Sequence, residues 1–143
     1  RGRYSVLAMT DDFRDALELM KTQWPTTATA KHRAATNELL QRLRTKYPGR
    51  ILSAVLFGSV ARGSFSADSD IDVLIVAGHV DTNFKWEVWG VGARVSLEFD
   101  VIFNLRVYSR ARWDSLGAAK RPLWQNIERE GVDLKLQSAR TRQ

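Results

Sequence analysis

Asp70 and Asp72 stand two residues apart at the head of one apolar run, and Gly58-Ser59 closes another. In an extended chain side chains alternate faces, so carboxylates at i and i+2 project to the same side and can share a hard cation. A Gly-Ser turn leaving a strand presents backbone N–H groups and a hydroxyl to an anion, the more so where Ser59 opens a short helix. The two halves describe a cup for phosphate beside a seat for magnesium. Nucleotidyl transfer from a triphosphate needs such a pairing: charge neutralised on the attacked phosphate and the leaving pyrophosphate, and an acceptor hydroxyl held in line. Two divalent ions roughly 4 Å apart do both. Asp70 and Asp72 would share them, and Asp100 is the candidate third carboxylate, holding the ion that acidifies the acceptor hydroxyl or taking its proton.

An isolated Asp-x-Asp is also common in turns, so other motifs need testing. Asp68, Asp70 and Asp72 mimic the start of a calcium-binding EF-hand loop, but Val73 stands where that loop needs glycine and His79 where it needs glutamate. The stretch Gly58 to Gly63 lacks the Gly-Lys-Ser/Thr ending of a P-loop, and Gly90-Val-Gly92 is followed by Val95 where a dinucleotide fingerprint needs its third glycine.

These side chains need elements to hold them. Ile51 to Phe57, apolar but for Ser53, reads as a buried strand, and Ile71 to Ala77 as a second. Ahead of them, Phe13, Ala16, Leu17 and Met20 follow Asp11-Asp12 at helical spacing and predict a short helix ended by Trp24-Pro25. His32 to Tyr47 carries Ala35, Leu39, Leu43 and Tyr47 along one stripe, and Pro48-Gly49 stops that helix. Gly78 to Gly92 reads as a loop with a short regular piece. From Arg94 to Leu105 apolar and polar residues alternate, with Val95, Leu97, Phe99, Val101 and Phe103 on one face and Ser96, Glu98, Asp100 and Asn104 on the other. That pattern predicts a long half-buried strand, antiparallel to the Ile71 strand, with Asp100 on its polar face and Glu98 as a lesser alternative to it. Helices over Ser109–Ala118 and Pro122–Glu130 and a short strand over Val132–Leu136 complete the reading, with Gly131 as a helix stop.

The chain has 143 residues, enough for one domain: a 1–30 extension with its helix, a 31–136 body and a 137–143 tail expected to be disordered. It holds no cysteine, which excludes disulfides and thiolate metal sites and fits a reducing compartment. No apolar run reaches the roughly 20 residues that cross a bilayer, and no signal-peptide core is apparent, so a cytoplasmic protein is expected. Arg1 precedes Met9, a plausible original start. The net charge is +6, and after Val101 nine Lys/Arg face four Asp/Glu. Such a balance suits an anionic partner without choosing among nucleotide, nucleic acid and acidic protein, and many of these charges simply solvate helix faces. His32 and His79 have no partner at ligand spacing and read as surface residues. Trp113 and Trp124 read as core, and Trp86 and Trp89 as loop residues beside the cleft with a base-stacking role open to them.

The order Gly58-Ser59, Asp70-x-Asp72 and then a lone Asp100 resembles the polymerase-β-like nucleotidyltransferase superfamily. The wording Gly-Ser-Val-Ala-Arg-Gly and the compact length resemble its minimal nucleotidyltransferase (MNT) branch. The likeness runs from about Ile51 to Leu134, including the closing Asn126-Ile-Glu-Arg-Glu-Gly-Val-Asp-Leu134. It implies an α/β (α+β) fold with a small mixed sheet and helices mainly on one face. It also implies two Mg²⁺ ions on Asp70, Asp72 and Asp100, and a triphosphate gripped at Gly58 and Ser59. Arg62 becomes a candidate phosphate contact, and Ser69 a residue that fixes the turn presenting Asp70.

The resemblance further implies transfer of AMP from ATP to a hydroxyl of a protein partner, as the antitoxin to a HEPN-type toxin. Three other readings compete: a module that blocks its partner sterically, a small-molecule nucleotidyltransferase of the aminoglycoside type, and an enzyme acting on RNA ends. A homo-oligomer is compatible with all of them.

Overall fold

The computed structural model describes residues 17, 20–64 and 68–134. The elements are α1 (Ala30–Lys46), β1 (Ile51–Phe57), α2 (Gly58–Arg62), β2 (Ile71–Ala77), α3 (Thr82–Phe99), β3 (Phe103–Ser109), α4 (Arg110–Ala118), α5 (Pro122–Glu130) and β4 (Val132–Asp133). Most of the expected N-terminal helix, the segment 65–67 and the tail lie outside the described residues. None of the helices described is long and apolar enough to cross a membrane.

The strands form one mixed sheet in the order β3-β2-β1-β4. β1 runs antiparallel to β2 and to β4, whereas β2 and β3 are parallel and joined through α3. Alternation assigns the two faces. Ala54, Leu56, Ile71, Val73, Ile75, Ala77 and Val107 face the larger core, where the long helices α1 and α3 deliver Leu39, Leu43, Phe84, Val88 and Val95. Val55, Leu74 and Val76 face the smaller core, closed by Trp113 and Leu116 of α4 and Ile127 of α5. Asp72 belongs by register to this second face, whose helices are only nine residues each.

Three expectations for the stretch after Ala77 are corrected here. The loop expected over Gly78–Gly92 and most of the strand expected over Arg94–Leu105 are a single helix, α3, and the strand begins only at Phe103. It is parallel to β2, not antiparallel. The physical reason is periodicity over a longer window: Phe84, Val88, Val91, Gly92 and Val95 are buried at helical spacing, while Leu97, a member of the apparent strand stripe, is 84% exposed. Asp81 caps this helix by accepting the Phe84 N–H at 2.7 Å. Gly92 lets it approach β3, since a Cβ there would lie 2.8 Å from Leu105 Cδ1.

His32, expected on the surface, is fully buried. Its backbone N–H donates to Thr29 Oγ1 at 3.0 Å, and its Nδ1 accepts the Thr29 N–H at 3.4 Å. It thus fills the place that glutamate takes in a capping box, satisfying two orphan donors at the start of α1.

Candidate active site

The register of the sheet creates the site. Phe57, the last residue of β1, lies opposite Asp72, so the chain leaves β1 at Gly58 beside that carboxylate. Gly58 has φ +77°, a left-handed conformation that favours glycine. A side chain there would also collide with Asp72, whose Cγ lies 2.9 Å from the position a Cβ would take. The turn then enters the five-residue helix α2, which closes on Gly63 with φ +78°. Ser59 is the second residue of that helix and is partly buried.

Asp70 and Asp72 come close at the start of β2, where Asp72 takes the second face by register. Asp70 is exposed just before the strand and Asp72 is half-buried within it. On the parallel neighbour, Asn104 lies opposite Asp72, and its Nδ2 donates to Asp72 Oδ1 at 2.9 Å. Burial raises the Asp72 carboxyl pKa above its ordinary 3.8, and the Asp70 charge adds to this, against the Asn104 hydrogen bond and the Arg106 and Arg62 guanidinia, which favour the ionised form. The balance identifies Arg106 and Arg62 as the cations facing this carboxylate. Ser69 directly precedes Asp70 in the connection and is partly buried.

Arg62 sits at the end of α2, where its Nη1 lies 2.7 Å from Glu130 Oε1 of α5. It therefore borders the site while tied to a carboxylate.

Asp100 is not brought to the other two. It is the C-cap of α3, in the left-handed conformation with φ 56°, and the strand expected to carry it does not exist at that position. Its side chain is fully exposed and faces Lys31 Nζ at 3.8 Å, so it belongs to the edge of the helix layer on the opposite face of the sheet. Glu98 is no substitute, because it lies on α3 and is held by Arg42, whose Nη2 is 2.5 Å from its Oε1. That bond holds the Glu98 carboxyl below its ordinary range. Among the described residues no group of three His, Cys, Asp or Glu side chains is placed to hold a metal ion.

Sequence reading did not single out Asn104 or Arg106. Both alternate onto the Asp72 face of β3, a signal that becomes legible once that strand is set at Phe103. Trp89 donates from Nε1 to the Leu105 carbonyl at 3.2 Å and lines a groove of about 360 Å³ between α3 and β3 with Ser96, Phe103 and Asn104. Trp86 stacks edge-on against Trp89 at 5.5 Å and is 66% exposed.

Residues 36–122 match the family described as nucleotidyltransferase domain. The chain is 41% identical over 80 residues to MJ0604 of Methanocaldococcus jannaschii, covering 51% of this chain and 79% of that protein. It is 30% identical over 74 residues to MJ0141 of the same organism, covering 51% and 75%. Both relatives carry the provisional name protein adenylyltransferase. Among solved structures, a chain of a toxin–antitoxin crystallised with AMP-PNP is similar at a TM-score of 0.50 and 25% identity, covering 68% of this chain and 70% of that one. A double-mutant form of the toxin–antitoxin MntA–HpeT shares the fold at a TM-score of 0.50 and 23% identity, with the same coverage.

Proposed function

Because the chain belongs to the nucleotidyltransferase domain family, we propose that it moves AMP from ATP, with magnesium, to a hydroxyl of a protein partner. The observation that carries this reading is the packing of the Asp72 carboxylate against the bare backbone of Gly58. It juxtaposes an anion-binding turn and a cation-binding pair, which a transfer between triphosphate and hydroxyl requires.

Asp70 and Asp72 fit magnesium, which takes one or two carboxylates and completes its shell with phosphate oxygens and water. When bound, the cation neutralises charge on the triphosphate and makes the α-phosphorus easier to attack. The residues do the rest by position. Gly58 and Ser59 receive the phosphates at the turn, and Arg106 and Arg62 lie on the flank facing Asp72. Asp70, the exposed member of the pair, is the carboxylate open to an incoming hydroxyl. The acceptor oxygen forms a bond to the α-phosphorus, the bond to the pyrophosphate oxygen breaks, and the hydroxyl proton passes to Asp70 or to water.

The provisional names of the archaeal relatives support a protein acceptor, and the likeness to a chain of a toxin–antitoxin with AMP-PNP supports adenine nucleotide and a toxin partner. We therefore take this chain as the antitoxin of such a pair, with a HEPN-type toxin as its substrate, acting in the cytoplasm.

Intact-mass analysis of the chain incubated with Mg²⁺, ATP and the product of its neighbouring gene tests the reading. One or more AMP additions on the partner, abolished by Asp70→Asn, are expected. If Asp70→Asn and Asp72→Asn proteins neutralise the partner as well as the native chain, neutralisation is steric and the transfer reading fails.

A further inference from the structure

We propose that the protein itself holds a single divalent cation at this site, on Asp70 and Asp72, with Asn104 standing where a second ion would need a third carboxylate. The inference rests on the nucleotidyltransferase reading and concerns the residues that surround its cation.

A second ion bound by protein needs a ligand beyond the two aspartates, and the sheet restricts where it can come from. Among the described residues, the strand beside β2 on that side is β3, and its alternate residues Asn104, Arg106 and Tyr108 share the Asp72 face, while Glu130 of α5 is held by Arg62. The first is neutral, the second a cation and the third a phenol. None brings negative charge, and Arg106 repels a metal ion.

Asn104 is also already committed. Its Nδ2 donates to Asp72 Oδ1 at 2.9 Å, which takes part of that carboxylate's acceptor capacity and leaves the rest for one cation. The remaining acidic residues on the chain segment leading into β3 are engaged elsewhere, Glu98 by Arg42 and Asp100 by Lys31. Charge follows the same logic. Two carboxylates balance one divalent ion, and Arg106 supplies fixed positive charge on the flank where a second ion would otherwise neutralise phosphate.

Asn104→Asp restores the missing charge at the strand position facing Asp72, so the ion count is the readout. Mn²⁺ titration followed by electron paramagnetic resonance, on the full chain saturated with a non-hydrolysable ATP analogue, counts the ions held in the complex. The native chain is expected to hold one Mn²⁺ per complex and Asn104→Asp two, the second bound on the order of tenfold more tightly than any second ion on the native chain. Asn104→Ser, which adds no charge, is expected to stay at one, and circular dichroism checks that both variants fold.

Two tightly held ions on the native chain, or one on folded Asn104→Asp, overturn the inference while leaving nucleotidyl transfer intact. Failure of the native chain to bind the nucleotide analogue overturns the transfer reading, and this inference with it.

Discussion

Gly58 and Asp72 compete for one volume: the carboxylate of β2 occupies the space that any side chain at the end of β1 would fill. The contact joins the two halves of the site across the β1–β2 pairing, and it gives Gly58 two independent reasons to be glycine. One is its φ of +77°, and the other is the absence of room.

Gly58→Ala should therefore injure both fold and function. Left-handed backbone costs an L-residue about 1–2 kcal/mol, before the collision with Asp72 is counted. Thermal unfolding should show a lower midpoint, and transfer activity should fall by on the order of a hundredfold or more as the carboxylate is displaced. Native activity in a stably folded Gly58→Ala protein would show that this contact does not shape the site.

Asp72 carries a stability cost as a half-buried carboxylate. A carboxylate whose folded pKa is raised stabilises the fold fully below its unfolded value, 3.8, and loses that contribution as pH rises through the raised folded value. At neutral pH without metal, the ionised half-buried group is thus a burden. Asp72→Asn removes the charge and keeps an oxygen to accept from Asn104 Nδ2. In EDTA at pH 7 the variant should melt above the native protein while inactive, and the difference should shrink as pH falls through the raised folded value toward 3.8. A variant that melts below the native protein at pH 7 contradicts this account.

Arg62 is held by Glu130 before any nucleotide arrives. If it serves phosphate, Glu130→Gln should free it and tighten nucleotide binding roughly two- to fivefold, the scale of a part-exposed ion pair. Arg62→Ala should weaken binding and erase the effect of the Glu130 change. Calorimetric titration of the single and double variants decides the matter, and additive effects would assign Arg62 to the α2–α5 contact alone.

Gly131, read from sequence as a helix stop, has a packing role as well. A Cβ there would lie 2.6 Å from the Ile127 carbonyl oxygen and 2.7 Å from Val55 Cγ1. Neither the helix backbone nor a buried β-branched side chain yields readily, so Gly131→Ala should cost about 1–3 kcal/mol and lower the melting temperature by several degrees. An unchanged midpoint would mean that the junction of α5 and β4 relaxes.

The residues by themselves determined β1, β2, α1, α4 and α5: the strands as short apolar runs closed by a turn, α1 by its apolar stripe, and α4 and α5 by the turn residues around them. They also placed Asp72 on one face of β2 by alternation, with Asp70 two residues before it at the head of the strand. What tertiary structure decided lies between Gly78 and Ser109. There the local sequence supports two periods, and the helix prevails because it buries Phe84, Val88 and Val95 against the sheet while leaving Leu97 in water. That choice moves the following strand to Phe103, makes it parallel, and sets Asn104 in place of Asp100 beside Asp72. The identity of the third residue at the site is a matter of strand register, and register is fixed by which side chains the whole sheet can bury.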